Sequence, residues 1–338
     1  MIVAINIADF LKEGFFRSKL IDTYSKLAQS NSADTYYLII DKDFDTPKSL
    51  PINMTCLPIT FTYRSTALSW LNYQVKIART IKKCKADKLL TSYIINKRLL
   101  KTPQTLLFPS IDFIHHQQYY SPQFSAFFKK QASKFINKSD QIITANNYTK
   151  NEIVRAYKTN INKIQLLSST EISINNDDQQ LKEKYAQGNE YFYCRHTATD
   201  VNSLTNILKA FSLFKKRLKS SMRLLVSVNN RTAEAAINKS LNTYKYKEEV
   251  SLIKSITEEE NALITRGCYG KIFSAPLSDF ETISPAATIA ANVDSLGALF
   301  GPDALYFNNE PTDIAEKMMN LYKDEALRSK LQTSNSKL

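Results

Sequence analysis

The sequence predicts an α/β protein with two Rossmann-like domains, each built on a parallel sheet. Short apolar runs alternate with amphipathic stretches along the chain, and a polar stretch without a long apolar run, Ser168 to Asn189, separates two halves. The 338 residues also exceed what one hydrophobic core usually holds. Because strands that alternate with helices form parallel sheets covered on both faces, we predict an N-terminal domain at 1–170 and a C-terminal domain at 171–338.

The first half contains strand patterns separated by patterns of helical period. The predicted strands are Ile2 to Ile7, Tyr36 to Asp41, Met54 to Ile59, Lys88 to Thr91, Gln104 to Phe108, Gln141 to Ala145 and Lys163 to Leu167. The predicted helices are Glu13 to Gln29, Thr66 to Cys84, Pro122 to about Asn137 and Thr149 to Tyr157. Ser121 followed by Pro122 is a favourable helix start, since proline at the first helical position loses no hydrogen bond.

The second half repeats this rhythm. The predicted strands are Tyr191 to Cys194, Met222 to Val228, Val250 to Ile256, Lys271 to Ser274 and Ala304 to Phe307. Helices are predicted at Val201 to Leu218, at Thr232 to about Tyr246, after a capping box of Thr257 and Glu260, from Pro311, and after an Asp324 cap.

The composition limits the function classes. A net charge of +13 implies an anionic partner, which could be a membrane surface, a nucleic acid or a phosphorylated ligand. The four cysteines form no CxxC pair and the three histidines complete no zinc pattern, so we expect free thiols, a cytoplasmic location and no metal site. The apolar runs are much shorter than the ~20 residues of a membrane helix. Glycine occurs six times, although the average usage of ~7% predicts about 24.

Three segments resemble family 4 retaining glycosyltransferases, which have the two-domain GT-B fold. NKSDQIITANNYTKNEIVRAYKTNINKIQLL (Asn137 to Leu167) is similar to the end of their N-terminal domain. Tyr191 to Val228 resembles the start of their donor-binding domain, and Phe300 to Leu331 their usual C-terminal segment. The resemblance implies parallel sheets facing across a cleft and metal-independent sugar transfer from a nucleotide-sugar donor.

The N-terminal motifs of that family are altered here. The loop after the first strand, Ala8 to Gly14, has one glycine where the family has several. Pro109 and Ser110 stand where the family has a His-Asp pair beside the reacting sugar. Asp112 and His115 follow closely and are the candidate catalytic replacements.

The C-terminal motifs are altered as well. Asp200 and Val201 stand where the family has an Arg-Lys pair that neutralises the leaving diphosphate. Arg195, His196 and Lys254 are the candidate replacements for that positive charge. In the donor-site element that carries two glutamates in the family, Phe280 and Glu281 are candidates for the first position, and the second glutamate is missing. Asp200, Phe280 and Glu281 thus complete the candidate donor-cleft set.

Four altered motifs on an intact scaffold favour a catalytically degenerate, glycosyltransferase-like protein of polysaccharide or glycoconjugate assembly. It would bind a glycan acceptor or pair with an active glycosyltransferase. The first alternative is an active retaining enzyme that needs a nucleotide-sugar donor and no further cofactor. The second is a binding module for anionic lipid or nucleic acid.

The predicted basic surface is formed by Lys82, Lys83, Lys85, Lys129, Lys130 and Lys134. The last three lie on a predicted helix with Phe124, Phe127, Phe128 and Phe135, at a spacing that separates an aromatic face from a basic one. This pattern fits either a buried aromatic face with a solvated basic face, or a domain that rests on anionic lipid at the inner face of the membrane. Nucleic acid is disfavoured because the aromatics follow core spacing and no nucleic-acid module is visible.

Overall fold

The structure is a computed structural model of the 338-residue chain. It describes all residues except 9, 12–16, 43–49, 62–65, 109, 145, 168–177, 197–200, 229–230, 255, 257, 276–284 and 337–338. The chain divides into two compact units. The first unit comprises Met1–Ile111 and Ala126–Ser168, and the second comprises Asp112–Ser125 and Ser169–Leu338.

The first unit is built on a seven-stranded parallel sheet in the order β3-β2-β1-β4-β5-β6-β7. Its strands are β1 (Ile2–Asn6), β2 (Thr35–Asp41), β3 (Met54–Ile59), β4 (Lys88–Thr91), β5 (Gln104–Leu107), β6 (Gln141–Thr144) and β7 (Ile164–Leu166). The helices along this part of the chain are α1 (Arg17–Ser30), α2 (Thr66–Cys84), α3 (Pro122–Lys138) and α4 (Asn147–Tyr157).

The second unit is built on a six-stranded parallel sheet in the order β10-β9-β8-β11-β12-β13. Its strands are β8 (Tyr191–His196), β9 (Arg223–Val228), β10 (Val250–Lys254), β11 (Gly270–Phe273), β12 (Thr288–Ala291) and β13 (Leu305–Phe307). The helices are α5 (Asp178–Ala186), α6 (Val201–Leu218), α7 (Arg231–Asn242), α8 (Glu258–Arg266), α9 (Asp294–Phe300), α10 (Pro311–Lys323) and α11 (Glu325–Asn335).

Both sheets have the strand order of a Rossmann fold. The chain moves outward from the first strand in one direction and then returns to build the other half, which creates a switch point between β1 and β4 and another between β8 and β11. The described strand pairs are parallel throughout. The predicted α/β class with two Rossmann-like units is therefore confirmed.

Local signals in the sequence explain several element boundaries. α3 begins at Pro122, and the Ser121 hydroxyl accepts a hydrogen bond from the Phe124 amide at 3.2 Å, as a helix-capping side chain does. The Asp324 carboxylate caps α11 by accepting from the Leu327 amide at 2.9 Å. Both predicted helix starts are therefore confirmed.

Three elements were not predicted, and several predicted ends were wrong: α4 begins at Asn147 rather than Thr149, and β10 ends at Lys254 rather than Ile256. α5 lies inside the stretch interpreted as a polar linker, and β12 and α9 were missed. α7 ends at Asn242 rather than near Tyr246, and β8 continues to His196 because its last residue still pairs with β9. The predicted boundary after residue 170 falls outside the described residues.

The core of the first unit is rich in aromatic rings at the carboxyl end of β1. Trp70 of α2 stacks on Tyr73 with ring centroids 5.5 Å apart, and Phe10 meets the Trp70 ring edge-on at 5.2 Å. Phe127 of α3 lies 5.1 Å from Trp70, so α2 and α3 are neighbours.

Within the described residues no helix is both long and apolar enough to cross a bilayer.

Candidate functional site

The candidate donor site is placed by the carboxyl ends of strands in the second unit. In Rossmann folds, ligands bind beyond these strand ends, near the switch point. Arg195 and His196 are the last two residues of β8 and pair with Ser227 and Val228 of β9. Lys254 ends the neighbouring strand β10. The fold thus places these three candidate positively charged residues at the carboxyl ends of the strands, which we call the donor edge of the sheet.

Their side chains differ in environment. Arg195 is 6% exposed, so its side chain is buried within the second unit. The side chain of His196 lies outside the described part of the structure. Lys254 is exposed, and its ammonium nitrogen lies 2.5 Å from Glu234 Oε1 on α7. This carboxylate neutralises the lysine locally and would repel an incoming diphosphate.

A buried polar network lies beneath that edge, and the sequence analysis missed it. The Tyr193 hydroxyl on β8 lies 2.9 Å from Ser227 Oγ on β9 and donates to Asn261 Oδ1 on α8 at 2.7 Å. Two residues earlier on the same face, the Tyr191 hydroxyl donates to the Ile264 carbonyl oxygen at 2.8 Å. Because buried polar groups are costly without partners, these bonds fix α8 against the sheet. The tyrosines at alternating positions of the strand were the only signal in the sequence.

A second polar network occupies the switch point of the first unit. Asn6 at the end of β1 is 1% exposed and donates to the Tyr73 hydroxyl at 2.7 Å and to Thr91 Oγ1 at 3.0 Å. The Tyr73 hydroxyl donates to the Ala8 carbonyl oxygen at 3.1 Å, and the Phe10 ring lies 5.7 Å from the Tyr73 ring. The described side chains beyond β1 therefore form a hydrogen-bonded and aromatic network at this switch point.

The two candidate catalytic residues lie in one turn. The Asp112 carbonyl oxygen accepts from the amides of His115, at 3.1 Å, and His116, at 2.7 Å. The Asp112 side chain is completely buried, as is that of Ser110 nearby, whereas His115 is exposed. The turn thus brings Asp112 and His115 together in the backbone but places their side chains in opposite environments.

Part of the predicted site lies outside the described residues. The donor-cleft candidates Asp200, Phe280 and Glu281 lie there, and so does Pro109 of the altered N-terminal motif. Val201 is the first residue of α6, and its side chain is not among those described. Across the described residues, no group of three or more His, Cys, Asp or Glu side chains is arranged to hold a metal ion.

The predicted basic surface is exposed throughout. This applies to the lysines at the end of α2 and on α3, namely Lys82, Lys83, Lys85, Lys129, Lys130 and Lys134. On the other side of α3, Phe124, Phe128 and Phe135 are buried and Phe127 is half-buried. The predicted separation of an aromatic face from a basic face is present in the helix.

Comparison with known proteins gives a match in structure alone. No protein-family model matches the chain, and no curated protein matches it in sequence. The sucrose-phosphate synthase of Thermosynechococcus elongatus superimposes with a TM-score of 0.68 at 10% identity, over 100% of this chain and 93% of that chain. The glycosyltransferase WaaG, involved in lipopolysaccharide biosynthesis, superimposes with a TM-score of 0.68 at 12% identity, over 99% of this chain and 94% of that one.

A further similar structure performs a different reaction. The UDP-GlcNAc 2-epimerase of Neisseria meningitidis, solved with UDP-GlcNAc bound, superimposes with a TM-score of 0.67 at 11% identity, over 98% of this chain and 94% of that chain. Since transferases and an epimerase match equally well, the similarity defines an architecture and leaves the reaction open. The chain has the GT-B fold that these glycosyltransferases and UDP-GlcNAc epimerases share.

Proposed function

We propose that this protein is a glycosyltransferase-like component of polysaccharide or glycoconjugate assembly that turns over no nucleotide sugar itself. It binds a glycan acceptor or an active glycosyltransferase partner. The observation that carries this proposal is the ion pair between Lys254 and Glu234 at the expected donor edge of the second unit. A fold whose relatives include glycosyltransferases is thus combined with a donor edge whose exposed lysine is already neutralised.

A nucleoside diphosphate gains negative charge as it separates from the sugar. When a sugar leaves a nucleoside diphosphate without a metal ion, positive groups must stabilise the growing negative charge, and this is usually the largest catalytic contribution. Lys254 must exchange Glu234 for the diphosphate before it contributes, and Glu234 would then remain beside the anion. The pair therefore weakens both donor binding and stabilisation of the leaving group.

The position of Asp112 supports the same proposal. A catalytic acid or base must come within about 2.6–3.2 Å of the group whose proton it transfers, directly or through one water. Asp112 has no exposed surface, so it reaches no substrate without rearrangement of its turn. His115 is exposed, and among the described residues no carboxylate forms an ion pair with it.

The test is nucleotide release by the purified protein with UDP-glucose, UDP-GlcNAc and GDP-mannose as donors. We expect no release above the blank for the wild-type chain. Turnover at about 1 s⁻¹ or faster, the ordinary range of enzymes, would exclude the proposal. Glu234→Gln serves as the informative variant, because freeing Lys254 should strengthen nucleotide binding if this edge still accepts a diphosphate.

Arg195 favours a second candidate function, an active retaining glycosyltransferase with an unusual donor site. Its buried guanidinium at the end of β8 is a preorganised positive charge, which is more effective in a protected site than in water. In that case Arg195→Ala weakens donor binding at least about tenfold, or ~1.4 kcal/mol, while Arg195→Lys retains part of it. Normal donor binding by a folded Arg195→Ala variant would exclude this role.

A further inference from the structure

The net positive charge of the chain is confined to one segment. Residues 46–139 contain 15 Lys and Arg but only two Asp and no Glu, whereas the rest of the chain contains 30 Lys and Arg and 30 Asp and Glu. The whole excess of +13 therefore lies in fewer than a third of the residues. A general excess of lysine would be spread over both halves, so this distribution indicates one positively charged surface.

Two neighbouring helices carry the centre of this charge. α2 and α3 have 19 and 17 residues, and together they contain eight Lys and Arg and no Asp or Glu. Their inner sides meet through the rings of Trp70 and Phe127, so their outer sides form one layer over the sheet. We call the outer cations of this layer the α2–α3 face, which comprises Arg79, Lys82, Lys83, Lys129, Lys130 and Lys134.

These six cations are exposed and uncompensated. Among the described residues, none of them has a carboxylate oxygen within the 4.0 Å of an ion pair. Lys97, elsewhere in the same segment, shows the usual arrangement and lies 3.1 Å from Asp140 Oδ1. Six like charges without counter-charges repel one another, which favours a bound anionic surface that relieves the repulsion.

The outer side of α2 also carries exposed leucines. Leu68 is 62% exposed and Leu71 is 57% exposed. Arg79 follows Leu71 by eight residues, and the steps from Leu68 to Leu71 and from Arg79 to Lys82 are three residues each. At these spacings the four side chains lie along one side of the helix. Leucines next to a basic stretch on one helix face are typical of helices that lie in the membrane interface.

The kind of cation argues for a diffuse partner. Of the 15 cations in residues 46–139, 12 are lysines. Lysine acts as a hydrated point charge, whereas arginine is preferred where a defined phosphate is bound by two parallel hydrogen bonds. A lysine-rich face with exposed leucines fits a bilayer of anionic lipids, in which charge is spread over many headgroups and apolar chains lie just below.

We propose that the α2–α3 face binds the surface of an anionic lipid bilayer, with Leu68 and Leu71 entering the interface. Each lysine near such a surface contributes on the order of 1 kcal/mol, and the leucines add apolar burial. This binding is independent of whether the protein turns over a sugar donor, so it stands if the function proposed above fails.

The test is co-sedimentation of the full chain with vesicles of phosphatidylcholine alone or of phosphatidylcholine with phosphatidylglycerol. Wild-type protein should bind only the vesicles that contain phosphatidylglycerol. The variant Lys129→Glu/Lys130→Glu/Lys134→Glu should bind them on the order of 100-fold more weakly. The matched control is Lys209→Glu/Lys216→Glu/Lys239→Glu, which makes the same change in net charge on exposed helical lysines of the second unit.

The control should retain binding within about threefold of wild type, because its lysines lie outside the α2–α3 face. An equal loss in both triple variants would show that net charge alone governs binding and would overturn the proposal. Equal binding to both kinds of vesicle, or no binding to either, would also overturn it.

Leu68→Gln/Leu71→Gln tests the apolar contribution separately. Both positions are exposed, and glutamine is a good helix former, so the fold should be unaffected. We expect about tenfold weaker binding to the phosphatidylglycerol vesicles, and a similar fold-loss when salt is raised until the Debye length is about 3 Å, because salt screens the lysines and not the leucines. Unchanged binding at both salt concentrations would contradict insertion of the leucines.

Discussion

The two units share a strand order but differ in surface charge. The first contains 24 Lys and Arg against 10 Asp and Glu, and the second contains 21 against 22. One unit is thus strongly basic and the other is neutral. Both units have mostly buried parallel strands in the same order, so the shared architecture follows from the buried core and does not depend on the surface charge.

Several surface cations of the second unit lie in ion pairs, whereas, among the described residues, the cations of the α2–α3 face do not. In the second unit, Lys184 lies 3.5 Å from Glu260, Lys254 lies 2.5 Å from Glu234, and Lys317 lies 3.2 Å from Asp313. The α2–α3 face of the first unit has no such counter-charges among its described neighbours. A cation already paired inside the unit is less available to a ligand, whereas an unpaired one retains its full attraction for anions. The proposed contact with an anionic bilayer relies on this property of the α2–α3 face.

The largest stability effect should come from the ion pair of Lys215, the most buried among the described pairs of the second unit. Lys215 is 6% exposed, pairs with Glu249, and donates to the carbonyl oxygen of Met222 at 3.1 Å. Lys215→Met should lower the free energy of unfolding by about 3–5 kcal/mol, because it leaves the carboxylate without its partner in a partly buried site. The exposed neighbour Lys216→Met is the control and should change it by less than about 0.5 kcal/mol.

Thiol labelling in increasing urea measures this effect within the second unit. Burial raises the pKa of the Cys268 thiol to about 12, so it reacts only when the unit opens. We expect the urea midpoint of Cys268 labelling to fall in Lys215→Met and to stay constant in Lys216→Met. Equal midpoints for the two variants would show that the buried pair is not stabilising.

An intermediate effect should come from two buried tyrosines with hydrogen-bonded hydroxyls, Tyr73 in the first unit and Tyr193 in the second. Tyr73→Phe removes bonds to Asn6 and Ala8, and Tyr193→Phe removes bonds to Ser227 and Asn261. Each substitution should cost about 1–3 kcal/mol, because each leaves buried polar groups without partners.

The comparison predicts similar losses in both units despite their opposite surfaces. Urea unfolding monitored by labelling of the half-buried Cys84 for the first unit and the buried Cys268 for the second would measure them. A large loss in one unit only would mean that one of the polar networks is dispensable and that the two cores are not built alike.

The smallest effect concerns pH and the first unit. Burial acts to raise the pKa of Asp140, but hydrogen bonds from the Gln104 amide and the Lys97 ammonium outweigh it and hold the pKa below its usual value. Because the folded pKa is the lower one, Asp140 stabilises the fold above the unfolded pKa of about 3.9 and loses this contribution as the pH falls through the folded pKa. For this exposed pair the contribution should be about 0.5 kcal/mol.

Asp140→Asn should therefore be slightly less stable than wild type at pH 7 and equally stable near pH 2. Urea midpoints across this pH range measure the difference. A difference that is constant with pH would show that the carboxylate charge is not involved.

The strongest features of the fold could be predicted from the sequence alone. β2, β3, α2 and α6 follow unambiguous strand or helix periods, and Pro122 and Asp324 mark helix starts by local chemistry. These elements are long or carry helix-cap residues, so local sequence signals were enough to predict them.

The missed elements lacked such signals. α5 is mostly polar and buries little beyond Leu181, Tyr185 and Ala186 against the sheet, so its sequence resembles a linker. β12 consists of only four residues, TIAA, and is a strand because β11 and β13 pair on both sides of it. α9 has only seven residues and its capping position, Val293, provides no side-chain hydrogen bond. Tertiary contacts stabilise each of these elements, namely strand pairing for β12 and packing for the two helices, and no local sequence pattern indicates them.

The sequence indicated which strands carry the candidate site residues but not the environment of their side chains. Arg195 and His196 lie at the end of β8 and Lys254 at the end of β10, with β9 between the two strands. The pairing of Lys254 with Glu234 joins residues 20 apart through the packing of α7, and the complete burial of Asp112 depends on its turn. The sequence pattern predicts the strand end at which a charged residue lies, whereas its ion-pair partner depends on how helices pack against the sheet.

The most direct test of the central claim, that the donor edge is no longer that of an active glycosyltransferase, is calorimetric titration with UDP, GDP and their sugars at low and physiological salt. We predict no binding tighter than about 1 mM at physiological salt, and that any low-salt binding is lost as charge is screened. Binding of one nucleotide with a Kd of about 1 μM at both salt concentrations would contradict the account, because it would require an intact donor site.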